Sequence, residues 1–363
     1  MTAEPDSTSP GAGGVTAGLR TSDFDYDLPS RLIAQRPAAN RDGSRLLVLD
    51  RQRRTLADRQ FRDLAGYLEA GDALVLNDTR VFPARLKGRK PTGASAEILL
   101  LAPRPDDETG RTWEAIVRPG GKLKPGREVV VSEMLRVQIL DSTEEGGRIV
   151  RLEGPGDPMQ LIQIYGSVPL PPYVEREADA QDAERYQTVY ADSVGSVAAP
   201  TAGLHFTPAL LRELDERGVR IVKVTLHVGL GTFRPVDVED PSEHDLHPER
   251  WEMTPECASV LNEVRSEGHR VWAVGTTSAR VLETAVDPEG RFSPGSGWTD
   301  LYILPPRRCI GLDGLLTNFH LPRSSLLMLV SAFAGTGFVL DAYRHAVREE
   351  YRFYSYGDAM LIL

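Results

Sequence analysis

Ala198-Ala199-Pro200-Thr201-Ala202-Gly203-Leu204-His205-Phe206-Thr207, running straight into Pro208, is the stretch from which the fold is best read. Pro200 and Gly203 dictate backbone shape, Thr201 and His205 bring polar chemistry, and Thr207-Pro208 supplies the N-cap and first-turn residues of a helix. Free N–H groups and the dipole at such a helix start favour anionic or polar ligand groups. A structural turn with a capping threonine would also explain these ten residues. The arrangement recurs, however, further along the chain. A strand over 270–274 runs into Gly275-Thr276-Thr277-Ser278-Ala279-Arg280 and a helix, and a strand over 314–317 runs into Asn318-Phe319-His320-Leu321-Pro322 with a helix starting near Ser324. Helices over 208–217 and 255–266 end at Gly218 and Gly268, and a strand over 220–227 carries β-branched residues on both faces. Strands alternating with helices predict an α/β fold, an open and largely parallel sheet with helices on both faces, and ligands at the carboxyl ends of its strands.

Working outward, the chain is too long for one ordinary domain: 363 residues, 41% hydrophobic and 26% charged, predict two domains with a sizeable core. Residues 1–20 are Thr, Ser, Pro, Gly and Ala with little apolar bulk, which predicts a disordered tail. No apolar run reaches membrane-spanning length and the N-terminus has no signal-peptide pattern, so a cytoplasmic protein without membrane association is expected. Cys257 and Cys309 show no metal-type spacing.

The texture changes after Asn77-Asp78-Thr79-Arg80. Short β-type runs at 96–101, 113–117, 128–131, 136–140 and 148–152, separated by Gly, Pro and acidic turns, predict a small antiparallel barrel inserted over 86–152. The α/β domain then comprises 21–85 and 153–363, with a helix at 158–165 and the rigid Val168-Pro169-Leu170-Pro171-Pro172-Tyr173 returning the chain to it. Although the chain has a net charge of −10, residues 80–127 hold eleven Lys/Arg against five acids. Arg80, Arg85, Lys87, Arg89, Lys90, Lys122 and Lys124 are therefore candidate phosphate contacts to RNA, the alternative being a solvated barrel surface.

Among the seven histidines, His205, His227 and His320 lie in or beside Gly/Pro/Thr loops after apolar segments and are the candidate general acids and bases. Val228-Gly229-Leu230-Gly231-Thr232 is not a dinucleotide loop, because the third glycine is missing and Phe233-Arg234-Pro235 stands where the phosphate-binding helix should start. His244-Asp245-Leu246-His247 has no evident third ligand, so no metal is expected. Residues 351–356, Tyr-Arg-Phe-Tyr-Ser-Tyr, read either as a base-stacking surface or as a final half-buried strand.

Taken together, Asn77-Asp78-Thr79-Arg80-Val81-Phe82-Pro83-Ala84-Arg85-Leu86, Pro169-Leu170-Pro171-Pro172-Tyr173, Arg185-Tyr186-Gln187-Thr188-Val189-Tyr190, the 198–206 loop, Val224-Thr225-Leu226-His227-Val228-Gly229, Val274-Gly275-Thr276-Thr277-Ser278, Thr317-Asn318-Phe319-His320-Leu321-Pro322 and Tyr356-Gly357-Asp358-Ala359-Met360 resemble the S-adenosylmethionine:tRNA ribosyltransferase-isomerase family of queuosine synthesis. The likeness runs from about Asp23 to the C-terminus and departs at Thr92-Gly93-Ala94-Ser95 and at Arg323, where an acidic residue is usual. It implies an α/β domain with an inserted barrel. It also implies transfer of the ribosyl part of S-adenosylmethionine to 7-aminomethyl-7-deazaguanine at the tRNA wobble position, giving epoxyqueuosine and releasing adenine and methionine. Such chemistry needs a base and an acid, for which His205 and His320 are the candidates, and no resident cofactor or metal; S-adenosylmethionine is consumed. Thr201, Gly203, Thr276, Thr277, Ser278, Arg280, Asn318 and Asp358 are the candidate substrate contacts, and a monomer is expected. Two competing readings are a scaffold that modifies a free deazapurine or nucleoside, and a non-catalytic RNA-binding module. The basic barrel speaks against the first and the three polar loops against the second.

Overall fold

The computed structural model describes residues 18–144, 146–229 and 236–363. Residues 1–17 of the expected tail and residues 230–235 of the rejected glycine loop lie outside the described residues. The globular part begins earlier than expected, because Leu19 packs against the main core and the Arg20 N–H bonds the Asp23 carboxylate at 2.8 Å.

In chain order the strands are β1 (Arg45–Asp50), β2 (Thr55–Gln60), β3 (Ala73–Asn77), β4 (Thr79–Val81), β5 (Arg85–Arg89), β6 (Ser95–Pro103), β7 (Thr112–Arg118), β8 (Glu128–Val130), β9 (Arg136–Ser142) and β10 (Arg148–Glu153). They continue as β11 (Gly166–Ser167), β12 (Ser193–Ser196), β13 (Arg220–Leu226), β14 (Glu249–Met253), β15 (Val271–Val274), β16 (Gly295–Thr299), β17 (Gly314–Asn318) and β18 (Ala359–Ile362). The helices are α1 (Pro158–Tyr165), α2 (Asp182–Arg185), α3 (Pro208–Glu216), α4 (Pro255–Ser266), α5 (Gly275–Ala285), α6 (Ser325–Ala334) and α7 (Thr336–Arg348).

One sheet orders its strands β16-β14-β13-β3-β15-β17-β18-β1-β2. Its centre, β13-β3-β15-β17, is parallel as the strand–helix alternation requires, and β18 pairs parallel with β1; β2, β14, β16 and the β17–β18 pair add antiparallel flanks. Alternation along the central strands sorts side chains to two faces. Leu47, Leu49, Val75, Ala273 and Leu315 face the layer of α4, α5, α6 and α7, whereas Leu46, Val48, Leu74, Trp272 and Leu316 face α3 and the 3-10 turn Phe61–Gly66. Both faces are dry, which explains the near-continuous apolar strands. Helix starts follow the sequence. Thr207, Thr254 and Ser324 accept from the N–H groups of Leu210, Cys257 and Leu327 at 3.1, 3.2 and 3.2 Å, each cap contributing about 1 kcal/mol. Gly218 and Gly268, at φ 84° and 80°, take the left-handed turn that ends α3 and α4.

The second module is a closed antiparallel barrel, β5-β6-β7-β10-β9-β8, with β8 returning to β5 through Arg89 and Val130. It extends beyond 86–152. The short β11 pairs with β5, and α1, expected to return the chain to the larger domain, instead packs Leu161 and Ile162 into the barrel core with Phe82 and Ala84. The segment 351–356 is not a strand: Tyr351 and Phe353 are buried in the main core, and the final strand is β18. Among the described residues no single helix is long and apolar enough to cross a membrane.

Candidate active site

At the carboxyl ends of β15 and β17 the chain leaves the sheet through Gly275 and Asn318, and a cleft opens there. Its wall is the 3-10 turn Thr201–His205 with Pro200, its floor Thr317, Asn318 and His320, and its rim the starts of α5 and α6 with Tyr173, Tyr354 and Ser355. The three polar segments thus meet, as the carboxyl-end rule for α/β sheets requires, but the second, expected as a loop over 275–280, is already the start of α5, because the helix begins directly where β15 ends. Thr201, Thr276, Thr277, Asn318 and His320 line the cleft.

Asn318 is held on every side. Its Nδ2 donates one proton to His205 Nε2 at 3.1 Å and shares the other between the carbonyls of Tyr354 and Asp358 at 3.3 and 3.4 Å, while Oδ1 accepts from Thr201 Oγ1 at 2.8 Å. Two carbonyl acceptors fix which end of the amide is Nδ2, so His205 Nε2 must accept. Its proton then sits on Nδ1 and is donated to Ser44 Oγ at 2.7 Å. Phe61 stacks on the imidazole, with centroids 4.9 Å apart. Burial pushes the His205 pKa down to about 3, with Arg352 acting in the same direction, so the ring is neutral at pH 7. His320 is likewise pushed down to about 3 by burial; its Nε2 lies 2.9 Å from Thr317 Oγ1.

The candidates separate by position. Of the three histidines only His320 reaches the cleft. His205 lies behind Asn318 because the Ser44 and Phe61 side chains draw it into the second core. His227 bonds Thr79 Oγ1 at 2.8 Å, away from the cleft, and burial and Arg250 lower its pKa. Gly203 does not line the cleft either, and a Cβ there would collide with the Tyr190 hydroxyl. Ser278 is buried in the first turn of α5. The Arg280 guanidinium is spent on Glu249 and on the carbonyls of Leu301 and Thr299 at 3.2 and 3.3 Å. The Asp358 carboxylate accepts the N–H groups of Arg45 and Arg352 at 2.9 and 2.8 Å, tying β1 to the C-terminal turn. These two charged residues are structural ties, since a buried charge needs its partners. Arg323, the departure beside the site, turns its guanidinium to Asp25 at 2.6 Å.

Sequence reasoning missed Tyr173, whose ring stacks on Tyr354 at 4.5 Å and 23°. The rigid Pro171-Pro172 run before it was the available signal. Tyr354, with Ser355, is the part of 351–356 that meets the cleft.

Of the basic candidates, Lys87 pairs with Glu177 at 2.7 Å and Arg85 donates to the Leu170 carbonyl at 3.0 Å, both beside the α/β domain. Pairing of Arg89 with Ser95 and Val130, and of Glu97 with Arg118, places the turn after β5 and the segment from β7 to β8 at one barrel end. Arg89 and Lys90 lie at the turn after β5, and Lys122 and Lys124 in the segment between β7 and β8, so all four border that end. Arg80 is exposed on β4, outside the barrel.

A closed barrel carried beside an α/β sheet, with a polar cleft at the strand ends, defines a two-module α/β protein with one candidate ligand site. A family model described as queuosine biosynthesis protein matches residues 21–362. A Symbiobacterium thermophilum S-adenosylmethionine:tRNA ribosyltransferase-isomerase is 52% identical over 347 residues, 95% of this chain and 100% of that protein. The enzyme of the same name from Staphylococcus haemolyticus is 49% identical over 347 residues, again 95% and 100%. The crystal structure of the S-adenosylmethionine tRNA ribosyltransferase from Thermotoga maritima is 42% identical, covers 94% of this chain and 100% of that one, and superposes with a TM-score of 0.54. The chain belongs to the queuosine biosynthesis protein family of S-adenosylmethionine:tRNA ribosyltransferase-isomerases.

Proposed function

We propose that this protein transfers and isomerises the ribosyl moiety of S-adenosylmethionine onto 7-aminomethyl-7-deazaguanine at the wobble position of tRNA, forming epoxyqueuosine-tRNA and releasing adenine and methionine. The observation that carries this reading is the convergence of three polar segments on one cleft whose only imidazole, among the described residues, is the neutral His320. In its neutral form the His320 imidazole keeps a lone pair with which to act as general base on the proton that the neighbouring sulfonium acidifies. His205, shielded from the cleft, acts through Asn318 as a positioning residue, and Asn318 with Thr201 offers the polar edge that orients substrate. The Tyr173–Tyr354 pair supplies a flat apolar wall for a base. S-adenosylmethionine is a consumed substrate, and its sulfonium supplies the activation, so the reaction calls for no resident cofactor or metal. The basic barrel end meets tRNA phosphates, and the enzyme works as a cytoplasmic monomer.

The test is incubation with labelled S-adenosylmethionine and tRNA bearing the aminomethyl-deazaguanine, scoring adenine release and label transfer. Adenine and methionine are expected in equal amounts and only with the modified tRNA. Turnover on the free base as fast as on tRNA would favour the small-molecule reading. His320→Ala is expected to lose about a hundredfold or more in turnover while still folding; near wild-type turnover would remove His320 from the mechanism.

A further inference from the structure

The start of α5 lines the cleft at Gly275, Thr276 and Thr277, where the first N–H groups of a helix have no partner within it, and Val274 before it supplies no side-chain cap. An eleven-residue helix beginning this way attracts an anionic oxygen. A second observation is independent of the helix. Thr277 lines the cleft at 8% exposure, yet its Oγ1 has no hydrogen-bond partner. A threonine in a helix ordinarily returns its hydroxyl to a carbonyl one turn back. At the first turn that carbonyl lies outside the helix, and the Thr277 hydroxyl is buried beside the cleft without a partner. Burying a hydroxyl unpaired is costly, so its position is best explained by a partner that enters the cleft.

We propose that the α5 N-terminus and Thr277 Oγ1 form the subsite for the α-carboxylate of the amino-acid half of S-adenosylmethionine. This rests on the ribosyl-transfer reading, under which the small-molecule substrate carries one anionic group, the carboxylate. Held there, the carboxylate places the sulfonium and ribose across the cleft floor, towards Asn318 and His320. Backbone N–H groups and a hydroxyl together suit a planar two-oxygen acceptor.

The experiment pairs an enzyme change with a ligand change, with the modified tRNA present at saturation. Thr277→Val removes the hydroxyl at constant shape, and the decarboxylated analogue of S-adenosylmethionine removes the carboxylate. Thr277→Val is expected to raise KM for S-adenosylmethionine about tenfold, as expected for losing a hydrogen bond to a charged group, with most of the loss in KM rather than kcat. The inhibition constant of the decarboxylated analogue should move by less than about threefold under the same substitution. Thr277→Ser, which keeps the hydroxyl, should restore KM and so separates a lost contact from a folding defect. An unchanged KM, or equal weakening of both ligands, overturns the carboxylate subsite. Weaker tRNA binding with an unchanged KM for S-adenosylmethionine also overturns it and assigns the helix start to an RNA phosphate. Failure of the wild-type protein to release adenine with modified tRNA would instead sink the ribosyl-transfer reading and this subsite with it, whereas the Thr277 outcomes leave that reading standing.

Discussion

Replacing His205 with glutamine should flatten the acid limb of the stability curve by an amount that follows from its burial. The ring is enclosed by Phe61, Ser44 and Asn318, and its pKa falls from 6.5 to about 3 in the folded protein. Because the folded value lies below the unfolded one, the unfolded chain takes up the proton first. The stabilising contribution is complete above pH 6.5 and is lost progressively as the pH drops towards 3. Between pH 7 and 5 the unfolded histidine becomes almost fully protonated and the folded one stays neutral. One pKa unit corresponds to about 1.4 kcal/mol, so this single group costs about 2 kcal/mol of stability over that interval. His320 makes a similar contribution, but it is present in both proteins and cancels from the comparison. Urea unfolding at the two pH values, followed by tryptophan fluorescence and circular dichroism, gives the loss for each protein. The wild type should lose about 2 kcal/mol more than His205→Gln. Equal losses within about 0.5 kcal/mol would show that His205 is hydrated or charged in the folded state, and its role as a buried neutral acceptor for Asn318 would be refuted.

Arg280→Met should cost about 3–5 kcal/mol by leaving Glu249 charged in the core, read as a fall in Tm that Glu249→Gln partly restores; an unchanged Tm would mean that the pair contributes nothing. Gly203→Ala should destabilise by about 1–3 kcal/mol through overpacking against Tyr190, and Tyr190→Phe should relieve part of it. If the alanine variant unfolds at the wild-type midpoint, that close approach is not rigid. Lys122→Ala with Lys124→Ala should weaken tRNA binding and lower the slope of log Kd against log salt by about 1.5, whereas Lys87→Ala, already paired with Glu177, should change it less. A slope untouched by the double substitution would move the RNA off the barrel end.

Most of the α/β scaffold was legible because it rests on local rules. Thr207, Thr254 and Ser324 cap helices at the positions their sequence contexts announce, and the apolar strands 73–77, 271–274 and 314–318 match a sheet covered on both faces. Five of the barrel's six strands were legible from their spacing; β5, with its charged Arg85-Leu86-Lys87-Gly88-Arg89, was not, and neither was closure between Arg89 and Val130, since closure depends on strand register. Likewise α1 carries the periodicity of a helix, but which module receives Leu161 and Ile162 is fixed only by which apolar surface lies nearest once the barrel has closed.

The site divides the same way. Sequence by itself determined that Thr201, Asn318 and His320 sit in polar turns beside helix starts, because caps, glycines and prolines act over a few residues; it read Thr276 and Thr277 into a loop before a helix, whereas they open α5 itself. Tertiary structure alone decided that His205 stands behind Asn318 rather than in the cleft, and that Arg280 and Asp358 are consumed by Glu249 and by the Arg45 and Arg352 amides. It also brought Tyr173 onto Tyr354 across 181 positions of chain. A side chain's residue type states what it can donate or accept. Which partner it finds, and whether water reaches it, is set by packing between segments far apart in the chain, and a buried charge or imidazole takes its role from those neighbours.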